Sequence, residues 1–492
     1  MPLFLSVDQS TSATKALILD ETGRILDRES REHTQHYPRP GFVEHDAGEI
    51  FQNTLDVCQT LLERSGQREQ IVGLSISNQR ETVVVFDRET GQPLHRAIVW
   101  QCRRGVEICE KLRDDGIDPD LHRRTGLTLD PYFSASKVHW LMENHPEIRE
   151  AIQSGRAVVG TMDAYLVHRL TGGRIFATDH TNASRTLLYN ISTNDWDNQL
   201  CRLWGIPRQA LPDLRDSSGN YGTVGVGGLI KGLPIRGVMG DSHASLFAQR
   251  CFDSGTTKLT LGTGSSILMN IGDKPVFSDE GVMTTMAWVH EGKPVYALEG
   301  IIVTAAASLA WLRSQLGLLA DIGEAEEMAA GLEGNDGVYL VPAFSGLGLP
   351  HWAPKARAVI CGLSNHSDRR HIVRAALEAI AYQLKDALEA MSRTSGTNLQ
   401  RVHADGGPTA NKFLMQFIAD LTGIPVQISA ISDGSPLGAA MMGMLGLGIH
   451  DSLDSIRALT RDEPVYRPAM EAALVEKNYQ GWLAAVRKTL AE

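Results

Sequence analysis

Apolar runs separated by short polar turns characterise the start of the chain. Leu3 to Gly23 has the pattern of a strand, a turn of small hydroxyl residues, a second strand and a second turn. Ile71 to Phe86 repeats this order around the polar residues 78–81. Apolar residues at helical spacing predict helices over 48–64, 137–143 and 371–393. This alternation of strands and helices predicts an α/β fold.

A second strand–turn–strand segment begins the other half of the chain. Residues 257–273, TKLTLGTGSSILMNIGD, are similar in pattern to the opening segment. Two α/β halves that begin alike predict duplicated domains facing a cleft, with a boundary near residues 249–255. We therefore expect an N-terminal domain over 1–249, a C-terminal domain over 250–450 and a helical extension over 451–492.

Composition narrows the class of protein. A chain of 492 residues is longer than one hydrophobic core usually serves, so two or three domains are expected. The net charge of −11 and the absence of a basic block disfavour a nucleic-acid partner. The longest uncharged apolar stretch, 435–449, is too short to cross a membrane. The six scattered cysteines have the pattern of reduced thiols, so we expect a cytoplasmic protein without a membrane partner.

The two turns that follow the opening strands are candidate phosphate sites. In the first, an acidic residue at a strand end precedes hydroxyl side chains, an arrangement that can hold a divalent ion beside phosphates. In the second, glycines allow backbone amides to approach phosphate oxygens. The candidates are Asp8 for the metal, and Ser10, Thr11, Ser12, Lys15, Gly262, Thr263 and Gly264 for the nucleotide. Either turn alone is equally typical of an ordinary hairpin, but two in matching halves could clamp one polyphosphate.

Two further junctions between strands and helices suggest chemistry. Gly406 and Gly407 precede a predicted helix near Asn411, which would bring backbone amides and a helix N-terminus to a nucleotide. Asp241 ends an apolar strand at a helix start, where an ionised carboxylate can accept a proton from a substrate hydroxyl. A tight connection and an ordinary helix cap are the alternative interpretations.

Candidate ligands for a hydroxylated substrate lie earlier in the chain. An Arg80–Glu81 pair can donate to and accept from neighbouring hydroxyls, while Trp100 and Tyr132 can cover the carbon side of a polyol. A surface salt bridge with core aromatics would give the same pattern.

Longer segments resemble the FGGY carbohydrate kinases, and within that family the members that phosphorylate glycerol. The segments are NQRET at 78–82, WQCRR at 100–104, DPYFSASKVHWL at 130–141, TNASRTLLYN at 181–190, and the runs 132–144 and 358–378. The resemblance implies two ribonuclease-H-like domains of the actin, hexokinase and Hsp70 type, closing over a cleft. It also implies ATP- and magnesium-dependent phosphorylation of a terminal polyol hydroxyl, and a homodimer or homotetramer is expected.

The resemblance also assigns roles to individual residues. Asp8 would lie by the magnesium ion, and Ser12 and Lys15 would face the phosphates. Thr263, Gly407 and Asn411 would bind the nucleotide. The polyol would be held by Arg80, Glu81, Trp100, Tyr132 and Asp241, with Asp241 as the general base.

Some positions depart from the family pattern. Ser242 and Ser266 stand where Gln and Phe are usual, and Ala306 and Ala310 replace Gly and Gln near the nucleotide. The two serines shorten the walls of the substrate site. Glycerol, converted to glycerol 3-phosphate, is the expected substrate, and a four- or five-carbon polyol or ketose is the alternative. A non-enzymatic nucleotide-dependent clamp of the same fold is a more remote alternative.

Overall fold

The computed structural model describes residues 2–278, 280–431, 433–459 and 463–491. Met1, Asp279, Ser432, 460–462 and Glu492 lie outside the described residues, so parts of the predicted extension 451–492 do as well.

The first half of the chain is a mixture of strands and helices. Its strands are β1 Leu3–Gln9, β2 Ala13–Asp20, β3 Ile25–Glu32, β4 Gln35–His36, β5 Glu44–His45, β6 Ile71–Asn78, β7 Val83–Asp87, β8 Ala97–Ile98, β9 Ala157–Thr161, β10 Ala177–Asp179, β11 Tyr189–Asn190, β12 Asp195–Trp196, β13 Asp213–Arg215 and β14 Ile235–Gly240. Its helices are α1 Ala47–Ser65, α2 Val106–Asp114, α3 Asp118–Thr125, α4 Ser134–Asn144, α5 Pro146–Gln153, α6 Met162–Leu170, α7 His180–Ala183, α8 Asn198–Trp204 and α9 Asp241–Ala248.

The second half continues the mixture. Its strands are β15 Thr256–Leu261, β16 Ser265–Gly272, β17 Met283–His290, β18 Lys293–Ile302, β19 Tyr339–Val341, β20 Val359–Cys361, β21 Arg401–Asp405, β22 Val426–Ile428 and β23 Val465–Tyr466. Its helices are α10 Ala307–Ser314, α11 Glu324–Ala330, α12 Arg369–Ser395, α13 Lys412–Thr422, α14 Gly434–Gly446, α15 Leu453–Arg457 and α16 Ala472–Leu490.

Each half is built on a central sheet with the same topology. The first sheet has the order β3–β2–β1–β6–β14, with antiparallel pairs among the first three strands and parallel pairs among the last three. The second contains β18–β16–β15–β21–β22 in the same directions, with β17 and β23 added at its edges. The predicted α/β fold of two similar halves is confirmed, and the strand–turn–strand segments predicted at 3–23 and 257–273 supply central strands of the two sheets.

The two halves are joined by helix packing between the sheets. α14 packs against α9 and against β14, β6 and β1 of the first sheet. Ser6 Oγ in β1 donates a hydrogen bond to the carbonyl oxygen of Pro436, at 2.7 Å. A helix from the C-terminal part of the chain thus covers the first sheet. The linear division at residue 249 stays a prediction.

The C-terminal extension is part of the second half. β23 pairs with β22 at the sheet edge, and Trp482 in α16 stacks on Tyr382 of α12 with ring centroids 5.2 Å apart. The extension therefore supplies a strand as well as the predicted helices. Within the described residues, no helix is both long and apolar enough to span a membrane.

Candidate active site

Asp8 lies near the end of β1, where the hairpin turn begins. Its side chain is 6% exposed, and Ser77 Oγ on the neighbouring β6 donates to Asp8 Oδ1 at 2.7 Å. The pKa of Asp8 is raised to about 6, chiefly by burial and also by the nearby carboxylates of Asp241 and Asp433, while the hydrogen bond from Ser77 opposes the change. Carboxylate oxygens are the ligands that Mg²⁺ prefers, so Asp8 has the chemistry of the predicted magnesium ligand.

The turn after Asp8 is held by its own hydrogen bonds. Ser10 Oγ donates to the carbonyl of Ala13, and Trp100 Nε1 donates to Thr11 Oγ1 at 2.9 Å. Ser12 is exposed, as a phosphate ligand would be. Lys15 Nζ lies 3.2 Å from Asp433 Oδ1. The lysine that is predicted to face the phosphates therefore forms an ion pair with a residue of the second half.

Arg80 and Glu81 belong to a buried cluster of four charges, which we call the ionic quartet: Arg80, Glu81, Arg185 and Glu299. Arg80 Nη2 lies 2.8 Å from Glu299 Oε1, Arg185 Nε donates to Glu81 Oε1 at 2.6 Å, and Arg185 Nη1 lies 2.6 Å from Glu299 Oε2. Burial alone would raise the pKa of Glu299, but the two guanidinium groups outweigh it and hold that pKa below its ordinary value. The alternative prediction, a surface salt bridge between Arg80 and Glu81, is therefore wrong, because both side chains are buried.

The quartet places Arg80 beside the candidate base. Arg80 Nε lies 3.5 Å from Asp241 Oδ1. Among the described residues Arg80 Nη1 has no hydrogen-bond partner, so it retains a donor for a substrate hydroxyl.

Trp100 and Tyr132, which the sequence predicts to cover the carbon side of a polyol, are in contact with each other. Their rings meet edge to face with centroids 5.5 Å apart. The loop that carries Tyr132 is fixed by the buried Lys137, whose Nζ donates to the carbonyls of Pro131, Tyr132 and Phe133. Burial lowers the pKa of Lys137 to about 8. The three carbonyls satisfy this buried amine and in return hold the aromatic residue in place.

Asp241 is the first residue of α9 and opens on a cavity of about 610 Å³ between the two halves. Its side chain is 36% exposed, and the backbone amide of Ser242 donates to Asp241 Oδ1. The lining also includes Ser242, Ser245, Lys258, Thr260, Asp405 and Gly406. Ser266 is not among the described residues that line this cavity. It lies on β16 opposite Thr260, and Thr260 does line the cavity.

A second cavity, of about 660 Å³, lies in the second half. Its lining includes six predicted nucleotide residues: Gly262, Thr263, Ala306, Ala310, Gly407 and Asn411. Leu309, Leu377, Pro408 and Leu414 make the rest of the wall largely apolar. An apolar slot beside backbone amides and small side chains fits a flat nucleotide base.

Glycine is required at two of the turns that are predicted to bind the nucleotide. Gly406 has φ +100°, and a Cβ there would lie 1.9 Å from the carbonyl oxygen of Leu261. A Cβ at Gly264 would lie 2.6 Å from the carbonyl oxygen of Ile302. Asn411 caps α13, because its Oδ1 accepts a hydrogen bond from the amide of Leu414. Close backbone approach thus shapes the predicted nucleotide turns.

Sequence reasoning missed four charged residues of this site: Arg185, Glu299, Lys258 and Asp405. Burial lowers the pKa of Lys258, while Asp405 and Asp241 oppose that change. The available signal was a charged residue inside an apolar strand, in TTKLTL for Lys258 and in KPVYALEGII for Glu299. Such a residue is expected to have a buried partner.

Comparison with known proteins identifies the family. The N-terminal domain model of the FGGY family of carbohydrate kinases matches residues 3–248, and the C-terminal domain model matches residues 257–447. The chain belongs to this family. The FGGY assignment agrees with the resemblance seen in the sequence.

Individual FGGY relatives are similar over nearly the whole chain. Glycerol kinase 1 of Thermotoga maritima is 46% identical over 489 residues, which cover 99% of each protein. The glycerol kinase of Klebsiella pneumoniae is 43% identical, covering 99% of this chain and 97% of its own. The structure of Plasmodium falciparum glycerol kinase with ADP superposes with a TM-score of 0.96 at 37% identity, covering 100% of this chain and 99% of that one.

Proposed function

We propose that the protein is an ATP-dependent kinase that transfers the terminal phosphoryl group of ATP to glycerol, giving glycerol 3-phosphate. The observation that carries this proposal is the position of Asp241, which lines the cavity between the halves while lying 3.5 Å from Arg80. A carboxylate and a guanidinium side by side can orient one hydroxyl and accept its proton. The similarity to relatives named glycerol kinase supports the substrate.

Asp241 acts as the general base in this proposal. Its carboxylate accepts the proton of the substrate hydroxyl as that oxygen attacks the terminal phosphorus, and the bond from phosphorus to the bridging oxygen of ADP breaks. Arg80 and Glu81 hold the remaining hydroxyls, and Trp100 and Tyr132 cover the carbon atoms.

The nucleotide side of the site divides between the two cavities. The adenine ring of ATP occupies the apolar slot beside Ala306 and Asn411. Its phosphates extend past the turn at Gly262–Gly264 toward Asp241. Asp8 would hold Mg²⁺, which neutralises phosphate charge when bound. Lys258, buried beside Asp241 and Asp405, adds positive charge at the same cavity.

The decisive experiment is Asp241→Asn, with Asp213→Asn as the matched control. Asp213 is an exposed carboxylate on β13 of the same half. We expect Asp241→Asn to lower kcat for ADP release by about 10²–10⁴-fold, the usual contribution of a general base, with an unchanged melting temperature. The control should retain wild-type turnover. A folded Asp241→Asn protein with wild-type kcat would contradict the role of the residue.

A second candidate substrate is a four- or five-carbon polyol or ketose. The observation that favours it is Ser242, whose short side chain lines the cavity between the halves next to Asp241. We expect glycerol to have the highest kcat/KM in a panel with erythritol, erythrulose, xylulose and ribitol. A longer substrate preferred by tenfold or more, about 1.4 kcal/mol in the transition state, would favour the second candidate.

A further inference from the structure

Far along the second half, three metal-ligating side chains converge on one point at the surface. In the described part of the chain these are Asp336, His366 and His371, whose ligand atoms all lie within 4.8 Å of one another. Asp336 Oδ2 is 3.2 Å from His371 Nε2 and 3.8 Å from His366 Nε2. Ligands of a tetrahedral ion bound at about 2.0–2.1 Å are separated by roughly 3.3 Å. The two separations from Asp336 thus lie close to the spacing that such an ion requires, and the two histidine nitrogens lie within 4.8 Å of each other.

Two of the three ligands are fixed by the rest of the fold. His371 lies in the first turn of α12 and is buried. Asp336 follows Asn335, whose Nδ2 donates to Glu378 Oε2 on the same helix at 3.1 Å. The amide of Gly337 donates to Asn335 Oδ1 and closes the loop behind Asp336. Because both ligands are anchored to α12, little order remains to be gained there when an ion binds.

A fourth residue is placed to support the buried histidine. Asp368, the N-cap of α12, has Oδ1 3.1 Å from His371 Nδ1. The backbone amide of Asp368 also donates to His371 Nδ1, at 3.0 Å. An ion on Nε2 would therefore move the ring proton to Nδ1 and replace that hydrogen bond by one from Nδ1 to the Asp368 carboxylate. A carboxylate behind a ligating histidine fixes the tautomer and orientation of the ring.

We propose that Asp336, His366 and His371 form a binding site for a transition-metal ion of the Zn²⁺ class. Two imidazole nitrogens and one carboxylate oxygen suit Zn²⁺, Co²⁺ or Ni²⁺, whereas Mg²⁺ prefers oxygen ligands throughout. The Asp336 and Asp368 carboxylates offset the positive end of the helix dipole at this position. His366 is 81% exposed, so the fourth coordination position is open to water.

The consequence is structural. His366 precedes α12 in an exposed connection, and an ion would fasten this connection to the start of the helix and to the Asp336 loop. α12 also carries Leu377, which lines the apolar nucleotide slot. The site lies apart from Asp241 and does not depend on the proposed kinase reaction.

Calorimetric titration of the full chain tests the site. The protein, freed of metal with a chelator and dialysed, is titrated with ZnCl₂ and separately with MgCl₂, without nucleotide. We expect one Zn²⁺ per chain and at least about a hundredfold weaker binding of Mg²⁺. His366→Gln should weaken Zn²⁺ binding by about tenfold or more. Because His366 is exposed, this variant should fold and retain its basal turnover.

The matched control is His145→Gln, which removes a partly exposed histidine paired with the single carboxylate of Glu147 at 3.3 Å. It should bind Zn²⁺ like the wild type. Substituting Co²⁺ provides a second readout, because a visible spectrum without thiolate bands, lost in His366→Gln, would exclude the cysteines as ligands. Absence of Zn²⁺ binding, equal affinity for Mg²⁺, thiolate bands, or wild-type affinity in His366→Gln would each overturn the proposal.

Discussion

Glu299 connects the substrate side of the site to the other half of the molecule. It comes from β18 in the second sheet and contacts Arg80 and Arg185, which both belong to the first half. Removing one partner from a buried ion pair costs about 3–5 kcal/mol, because the remaining charge stays buried without compensation. Arg80 in turn lies beside Asp241, so an effect on Arg80 is expected to reach the substrate.

We therefore expect Glu299→Gln, which keeps the side-chain volume, to lower the melting temperature by several degrees. It should raise KM for the polyol more than KM for ATP, because Arg80 loses its position while the nucleotide slot is unchanged. Thermal unfolding and steady-state kinetics measure the two effects. Glu291→Gln, at an exposed position paired with Lys293, is the control and should change neither. Equal effects on both KM values would indicate a general loss of structure.

Most residues of the candidate site could be proposed from the sequence, because each stood in a turn or at a junction with a local pattern. Asp241, the Gly262–Gly264 turn and the Arg80–Glu81 pair are of this kind. Glu299 and Lys258 are different, since their meaning depends on which charge faces them across the cleft. That pairing follows from how two sheets meet, and no short stretch of sequence specifies it.

At the level of elements, α9 and α14 pack with their backbones in close approach. A Cβ added at Gly438 would lie 1.7 Å from the carbonyl oxygen of Ala244, which is backbone and cannot move aside alone. α14 is buried from Pro436 to Leu445, so its sequence shows no amphipathic period. For that reason the sequence identified this stretch only as too short for a membrane, and its place between the sheets was not predicted.

Gly438→Ala should therefore push the two helices apart. We expect a loss of about 1–3 kcal/mol in the free energy of unfolding, the usual cost of overpacking a core. Gly334→Ala is the control, because the nearest atom to its added Cβ would be 3.9 Å away. Chemical denaturation of both variants measures the difference. A Gly438→Ala protein as stable as the control would show that the α9–α14 contact yields easily.

For the whole molecule, the pH dependence of stability sums over two opposing sets of buried groups. Burial lowers the pKa of His403 to about 4 and that of His45 to about 3, so their contribution to stability is present above pH 6.5 and lost as the pH falls through those values. Burial raises the pKa of Asp163 to about 7 and that of Asp8 to about 6. Their contribution is present below about pH 4 and lost as the pH rises through 6 to 7.

Removing one histidine should shift this balance. As the pH falls from 6.5 to 4, the wild type loses stability because its folded state excludes the proton that His403 binds when unfolded. His403→Gln lacks this loss, so we expect its free energy of unfolding to rise relative to the wild type by about 1.4 kcal/mol for each pH unit of that fall. Thermal unfolding at four pH values over this range measures the trend. A pH-independent difference for His403→Gln would mean that His403 protonates equally in both states.

The ionic quartet also limits how this protein can be divided or recombined. The first half on its own would keep the buried Arg80 and Arg185 without the carboxylate of Glu299, and it would lack the helix that covers its sheet. A fragment ending near residue 249 is therefore expected to be insoluble when expressed alone. In a chimera that joins this first half to another second half, the acceptor would need a carboxylate where Glu299 stands. The two halves are duplicated in topology, yet they form a matched pair that can be exchanged only together.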